Sequence, residues 1–136
     1  MMDEFLLEAF HATAYDVSVD VVTWATIRID LPLPTELHAV VGAAHWGFIT
    51  AWNPQAKRRP NAENRIAQQA LVAALEALPG ARVFAAIGVG NAGWAEPSLF
   101  VTGVDVAALD ALAREHAQLA YVRGTGAGAA QLRVLG

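Results

Sequence analysis

Cysteine is absent from this chain of 136 residues. Its absence excludes disulfides, thiolate metal ligands and cysteine nucleophiles. The chain has four histidines, but no HExxH motif and no close histidine pair, so we expect no structural metal site and no cofactor. Charged residues are scarce, at 16% against 55% hydrophobic residues, which argues against a disordered chain. Because the net charge is −4, broad binding to nucleic acid is not expected, although a local basic patch stays open.

Long apolar runs are also missing. No run reaches the length of about 18 apolar residues that predicts a membrane span. The chain begins with Met1-Met2-Asp3-Glu4, whereas a secretory signal begins with a basic stretch. We therefore expect a cytoplasmic protein. The length fits one domain, residues 1–136, and neither a repeat nor a linker divides it.

The hydrophobic pattern predicts alternating helices and strands. Helices are predicted over 2–12, 61–78 and 106–117, and the stretch 35–44 is ambiguous. Strands are predicted over 22–31, 46–52, 82–88, 98–102, 119–123 and 131–135. Asn61 and Asp105 are the expected caps of the second and third helices.

The order of elements from residue 46 onward is strand, helix, strand, strand, helix, strand, with one further strand at the end. This is the split βαβ order of a ferredoxin-like sandwich. The predicted class is α+β, with two main helices on one face of a mostly antiparallel sheet. The first helix is an addition, the strand 22–31 extends an edge, and the last strand pairs in a hairpin.

The segment Gly88-Val89-Gly90-Asn91-Ala92-Gly93 matches the GxGxxG pattern of dinucleotide-binding proteins. That function requires a helix to begin at the glycines, so that its amide groups meet the pyrophosphate. The residues that follow are strand-like and include Pro97, so we interpret 88–93 as a flexible or tight loop.

A basic run, Lys57-Arg58-Arg59, lies close before Arg65 at the start of the second helix. Cations are disfavoured at the amino end of a helix. The run is therefore either a solvated loop or a place where a phosphate or a carboxylate binds. Asn53 is expected in a turn before proline, whereas Asn64 has no turn or cap to explain it and could hold a loop or a ligand.

Trp94 and Glu96 flank a short polar break between two apolar strands. The indole could stack on a ring or cover a pocket, and the carboxylate could act as an acid or base. The alternative is structural: the tryptophan packs on the edge of the core and the glutamate forms an ion pair.

Several of these segments in combination resemble a bacterial family known as domain of unknown function 3293. They are 48–54 (FITAWNP), 61–65 (NAENR), 94–98 (WAEPS) and Gln118, and Tyr15 also fits the pattern. The resemblance covers nearly the whole chain and implies no activity, substrate or cofactor. It does mark eight polar and aromatic residues as characteristic of the family: Thr50, Trp52, Asn53, Asn64, Arg65, Trp94, Glu96 and Gln118.

These residues lead to three hypotheses. The first is a module that binds a small anionic or nucleotide-like molecule through the following side chains: Thr50, Trp52, Asn53, Arg59, Asn64, Arg65, Trp94 and Gln118. The second is an enzyme in which Glu96 is the general acid or base and Arg65 stabilises charge. The third is a protein-interaction or homodimerisation module that uses an edge strand.

Overall fold

The computed structural model describes residues 2–91 and 93–135, so Ala92 of the expected loop 88–93 lies outside the described residues. The strands are β1 Ala14–Ser18, β2 Trp24–Ile27, β3 His45–Ile49, β4 Arg82–Val89, β5 Ala95–Thr102, β6 Ala120–Thr125 and β7 Gln131–Val134. The helices are α1 Glu4–Ala12, α2 His38–Val41, α3 Asn61–Glu76 and α4 Val106–Glu115. None of the helices in this part of the chain has the length and hydropathy that crossing a bilayer requires.

All seven strands form one antiparallel sheet in the order β2-β1-β4-β5-β3-β6-β7, and this sheet curls into a half-barrel. The two ends of the sheet approach each other: the Asp30 amide donates to the Ala130 carbonyl over 2.8 Å, and the Ala130 amide donates to the Leu31 carbonyl over 2.9 Å. The predicted mixture of helices with a mostly antiparallel sheet is therefore confirmed.

The concave face of the sheet carries one hydrophobic core. Alternate residues of each strand point to it, with Trp46 and Phe100 fully buried at its centre and Phe48 beside them. A Cβ atom at Gly124 would lie 2.5 Å from the Trp46 ring, so the indole occupies the space that a side chain would need. α1 contributes Phe10 to the rim of this core.

The convex face carries a second core, against which α3 and α4 pack. Leu71 and Leu75 of α3 and Leu109 of α4 are fully buried there. α4 begins at a cap, because the Asp105 carboxylate accepts a hydrogen bond of 2.9 Å from the Ala108 amide. This is the cap expected from the sequence.

Several boundaries differ from the prediction. The strand β1 was missed, and β2 covers only the middle of the predicted strand 22–31. β3 ends at Ile49 rather than at residue 52. Asn61 is the first residue of α3 and not its cap: Pro60 holds the cap position, and no side chain caps the helix.

β5 begins at Ala95, so Glu96 lies in a strand and not in a break between strands. Pro97, paired with Ile87, is part of the same strand. Of the glycines that matched GxGxxG, Gly88 lies in β4, Gly90 follows it directly and Gly93 lies in a turn before β5, so no helix begins at these glycines.

Candidate functional site

The chain after β3 forms a strained loop next to the open end of the half-barrel. Asn53, Gln55 and Ala56 all have positive φ angles, of 47°, 58° and 58°. Each such residue costs of the order of 1–3 kcal/mol and persists only when its surroundings hold it. The Gln55 amide donates to the Ala117 carbonyl over 2.8 Å, which ties the middle of the loop to the end of α4.

Asn64 of α3 holds the start of this loop. Its side chain is 1% exposed, and its Oδ1 accepts from the Asn53 amide over 2.9 Å. Its Nδ2 donates to Asn53 Oδ1 over 2.9 Å and to the Arg59 carbonyl over 3.3 Å. A buried amide with all these bonds fixes both ends of the segment 53–59.

Asn53, held by Asn64, in turn positions the Glu96 carboxyl group. Its Oδ1 is already engaged by Asn64, and its Nδ2 donates to Glu96 Oε2 over 3.3 Å. Burial raises the pKa of Glu96 to about 7, and the hydrogen bond from Asn53 counteracts part of that rise. The other oxygen, Oε1, has no hydrogen-bond partner among the described residues and is not sealed from solvent.

Two further hydrogen bonds hold the end of β3 in place. Thr50 Oγ1 donates to the Pro97 carbonyl over 2.8 Å and accepts from the Trp52 amide over 3.0 Å. Gln118 Nε2 donates to the Trp52 carbonyl over 3.1 Å. Thr50 and Gln118 therefore position Trp52 and the strand that carries Glu96.

Trp94 packs against the backbone of Gly90. A Cβ atom at Gly90 would lie 2.8 Å from the indole, so a glycine is required for the ring to take this place. The Gly90 amide donates to the Trp94 carbonyl over 2.8 Å, which closes the hairpin. Because Trp94 is 45% exposed, part of its indole remains open to a ligand.

A cavity of about 550 Å³ opens between α1 and the concave face of the sheet. We call it the concave cavity. Its polar lining includes Tyr15, Thr50, Asn53, Glu96, Ser98 and Gln118. Its aromatic lining includes Phe5, Phe10, Phe48 and Trp94. Of the described residues that line it, Glu8 and Glu96 carry carboxylates and none is Lys, Arg or His.

A second cavity, of about 640 Å³, lies beside the first. We call it the arginine groove; its lining includes Trp52, Asn53, Arg58, Arg59, Asn61 and Trp94. None of its described lining residues is Asp or Glu. The amino end of α3, which has no side-chain cap, adds a further partial positive charge. Asn53 and Trp94 line both cavities.

Most of the residues predicted from the sequence therefore lie together. Thr50, Asn53, Trp94, Glu96 and Gln118 line the concave cavity, and Trp52 and Arg59 line the arginine groove. Asn64 is buried behind both and holds Asn53. Arg65 is exposed and lines neither cavity, so its predicted role in binding stays a prediction.

Other residues of this corner were missed as site residues. Tyr15 and Gly88 line the concave cavity, but Tyr15 belongs to the strand that the pattern did not predict. Ser98 lacked any motif, although alternation along β5 puts it on the same face as Glu96. Arg58 was part of the basic run, but the sequence did not show which members of that run line a cavity. In the structure Arg58 lines the arginine groove and Lys57 does not.

The model of the family described as protein of unknown function (DUF3293) matches residues 49–121, more than half of the chain. The chain belongs to this family. The family predicted from the sequence is thus confirmed, and the matched segment contains Asn53, Asn64, Trp94 and Glu96. The resemblance over nearly the whole chain stays a prediction, because Tyr15 lies outside the matched segment. α1 and β1 lie outside it. The curated proteins and the solved structures contain no match to this chain.

Proposed function

We propose that this protein binds a small anionic or nucleotide-like molecule in the arginine groove. The observation that carries the proposal is the pairing of two guanidinium groups with two indoles around one recess. Within the described chain, neither Arg58 nor Arg59 forms a salt bridge. Their charge is therefore available for a phosphate or carboxylate, which guanidinium groups bind through paired hydrogen bonds.

The site also has the rigidity that such binding needs. Asn64 fixes the backbone at both Asn53 and Arg59, so the loop that carries the arginines is ordered before a ligand arrives. Prior order of this kind reduces the entropy lost on binding.

Calorimetric titration with inorganic phosphate and pyrophosphate, at constant ionic strength, tests the proposal. We expect both anions to bind, and pyrophosphate to bind more tightly because it presents more charge. The double variant Arg58→Gln/Arg59→Gln should weaken pyrophosphate binding by about tenfold or more, since hydrogen bonds to charged groups contribute about 1.5–3 kcal/mol each.

The double variant Lys57→Gln/Arg65→Gln is the matched control, because it also removes two positive charges, from exposed residues of the same region that line neither cavity. It should leave the affinity within about twofold, which is the size of a screened surface effect. An equal loss in both variants would contradict the groove and favour the role of Arg65 predicted from the sequence. Absence of any anion binding would exclude the proposal.

A second candidate function is acid–base catalysis by Glu96. The observation that favours it is a carboxyl group at a cavity wall whose pKa, raised by burial, is about 7. A group of this kind can give or take a proton near neutral pH. Glu96→Gln should then abolish turnover of a bound substrate while leaving its affinity nearly unchanged. Turnover that survives this change would exclude the role.

We also propose that residues 45–125 form a ferredoxin-like unit within the half-barrel. Supporting this, β3 to β6 lie in the order β4-β5-β3-β6, with α3 and α4 as the crossovers. A split βαβ repeat has this connectivity. An experimental structure with another strand order would exclude the assignment.

A further inference from the structure

The charges of the two cavities are opposite in sign. Arg58 and Arg59 line the arginine groove, whereas Glu8 and Glu96 are the charged residues among the described lining of the concave cavity. An anionic group is therefore attracted to the groove and repelled from the cavity. A ligand that fills both must carry its negative charge at one end.

The concave cavity suits a flat ring that bears a hydrogen-bond donor. Phe5, Phe10 and Phe48 supply aromatic surface, and a volume of about 550 Å³ lies within the range of small-molecule sites. Glu96 Oε1 is free to accept a hydrogen bond, since Asn53 engages only Oε2. Because Asn64 holds Asn53, the position of the Glu96 carboxyl group is defined.

The two cavities meet at Asn53 and Trp94, which line both. Because Trp94 is 45% exposed and lines both cavities, its indole is available to stack on a ring, and base–indole stacking contributes about 1–3 kcal/mol. A molecule in which a short linker joins an anion to a heterocyclic ring therefore has a complementary partner for each part. The arginines suit the anion, and Trp94 and Glu96 suit the ring.

We infer that the arginine groove and the concave cavity form one two-part site for a nucleoside monophosphate. Its phosphate binds Arg58 and Arg59, its base stacks on Trp94, and an N–H group of the base donates to Glu96 Oε1. This inference rests on the proposed binding of anions in the groove and adds the ring site and the ligand class.

The test is titration of the full chain with AMP, GMP, CMP and UMP, the four matching nucleosides, and inorganic phosphate. At least one nucleotide should bind about tenfold or more tightly than phosphate, in line with the gain from one stacked, hydrogen-bonded base. Its nucleoside should bind more weakly than the nucleotide, because it lacks the contact with the arginines.

Two variants separate the halves of the site. At pH 8, where Glu96 is ionised, Glu96→Gln should weaken the preferred nucleotide by about tenfold, the loss of a charged hydrogen bond, and leave phosphate binding unchanged. Gly88→Val fills the concave cavity from its floor: a Cβ atom at Gly88 has ordinary contacts of 3.7 Å with Thr13 and 4.0 Å with Phe48. The variant should therefore fold, bind phosphate and lose the preference for nucleotides.

Gly88→Ala is the smaller control, and circular dichroism with the melting temperature verifies that each variant is folded. If every nucleotide binds no more tightly than phosphate, the two-part site is excluded while the groove stands. Nucleotide binding that survives both Glu96→Gln and Gly88→Val also excludes it. If neither phosphate nor any nucleotide binds, both the groove and the two-part site are excluded.

Discussion

Glu96 gives the stability of the fold a pH dependence opposite to that of most carboxylates. Burial raises its pKa from 4.5 to about 7, so between these values the folded protein holds a proton that the unfolded chain has released. Its stabilising effect is complete below pH 4.5 and is lost as the pH rises through 7. The loss is at most about 3 kcal/mol.

The measurement is urea unfolding at pH 5 and pH 8 for the wild type and for Glu96→Gln. The difference between the two proteins isolates Glu96, because it is the one ionisable side chain that the variant lacks. Glu8, Tyr15 and Tyr121 are the other titratable groups in the described lining of the cavity, and burial raises the pKa of both tyrosines, so both stay neutral throughout. We expect the wild type to lose stability relative to the variant at pH 8. Parallel profiles would contradict the buried position of Glu96.

A single residue of the site could be predicted from the sequence only where no ordinary structural role, such as a helix cap or a turn, explained its presence. Asn64 had no cap or turn to account for it, and it is the buried clamp of the loop. Arg65 was predicted beside it, but neighbouring helical residues point about 100° apart. With Asn64 turned inward, Arg65 is directed to solvent, and an isolated sequence does not reveal which of the two faces the core.

At the scale of elements, the start of α3 and the loop 53–59 act as one unit, and Asn64 joins them. Asn64→Ala removes three hydrogen bonds and leaves the partly buried Asn53 backbone amide without its Asn64 partner. We expect a loss of about 2–3 kcal/mol of unfolding free energy, measured by urea denaturation.

Asn61→Ala provides the comparison, because Asn61 is exposed and makes no side-chain hydrogen bond within the described chain. It should change the free energy of unfolding by less than about 0.5 kcal/mol. Similar losses in the two variants would contradict the clamp, because alanine is the better helix former and propensity alone predicts no loss at either position.

Element types were easier to predict than their ends. α3 and α4 have clear apolar stripes, and both were predicted within two residues at their carboxyl ends. β1 was missed, since its five residues include Asp16 and Ser18 and alternate too briefly to stand out. β3 ends early because Thr50 turns its hydroxyl to the Pro97 carbonyl and the Trp52 amide, a tertiary contact that no local pattern contains.

At the scale of the whole molecule, the sequence predicted the order of elements from β3 onward but not the curl of the sheet. The curl depends on contacts between distant segments, such as Trp46 filling the space above Gly124. It also brings the two ends of the sheet together at Asp30 and Ala130. The described lining of the concave cavity comes from α1, β1, β3, β4, β5, β6 and adjoining loops, and it contains no residue of this junction.

Hydrogen exchange tests the closure directly. The Ala130 amide donates to the Leu31 carbonyl across the gap between the sheet ends, and Ala130 is fully buried. Its neighbour Ala129 is exposed, and its amide has no backbone acceptor outside regular elements in the described chain. If the half-barrel is closed in solution, Ala130 should exchange as slowly as the central strands and Ala129 rapidly. Equal, fast exchange at both would mean that the ends of the sheet separate in solution and that the half-barrel is not closed.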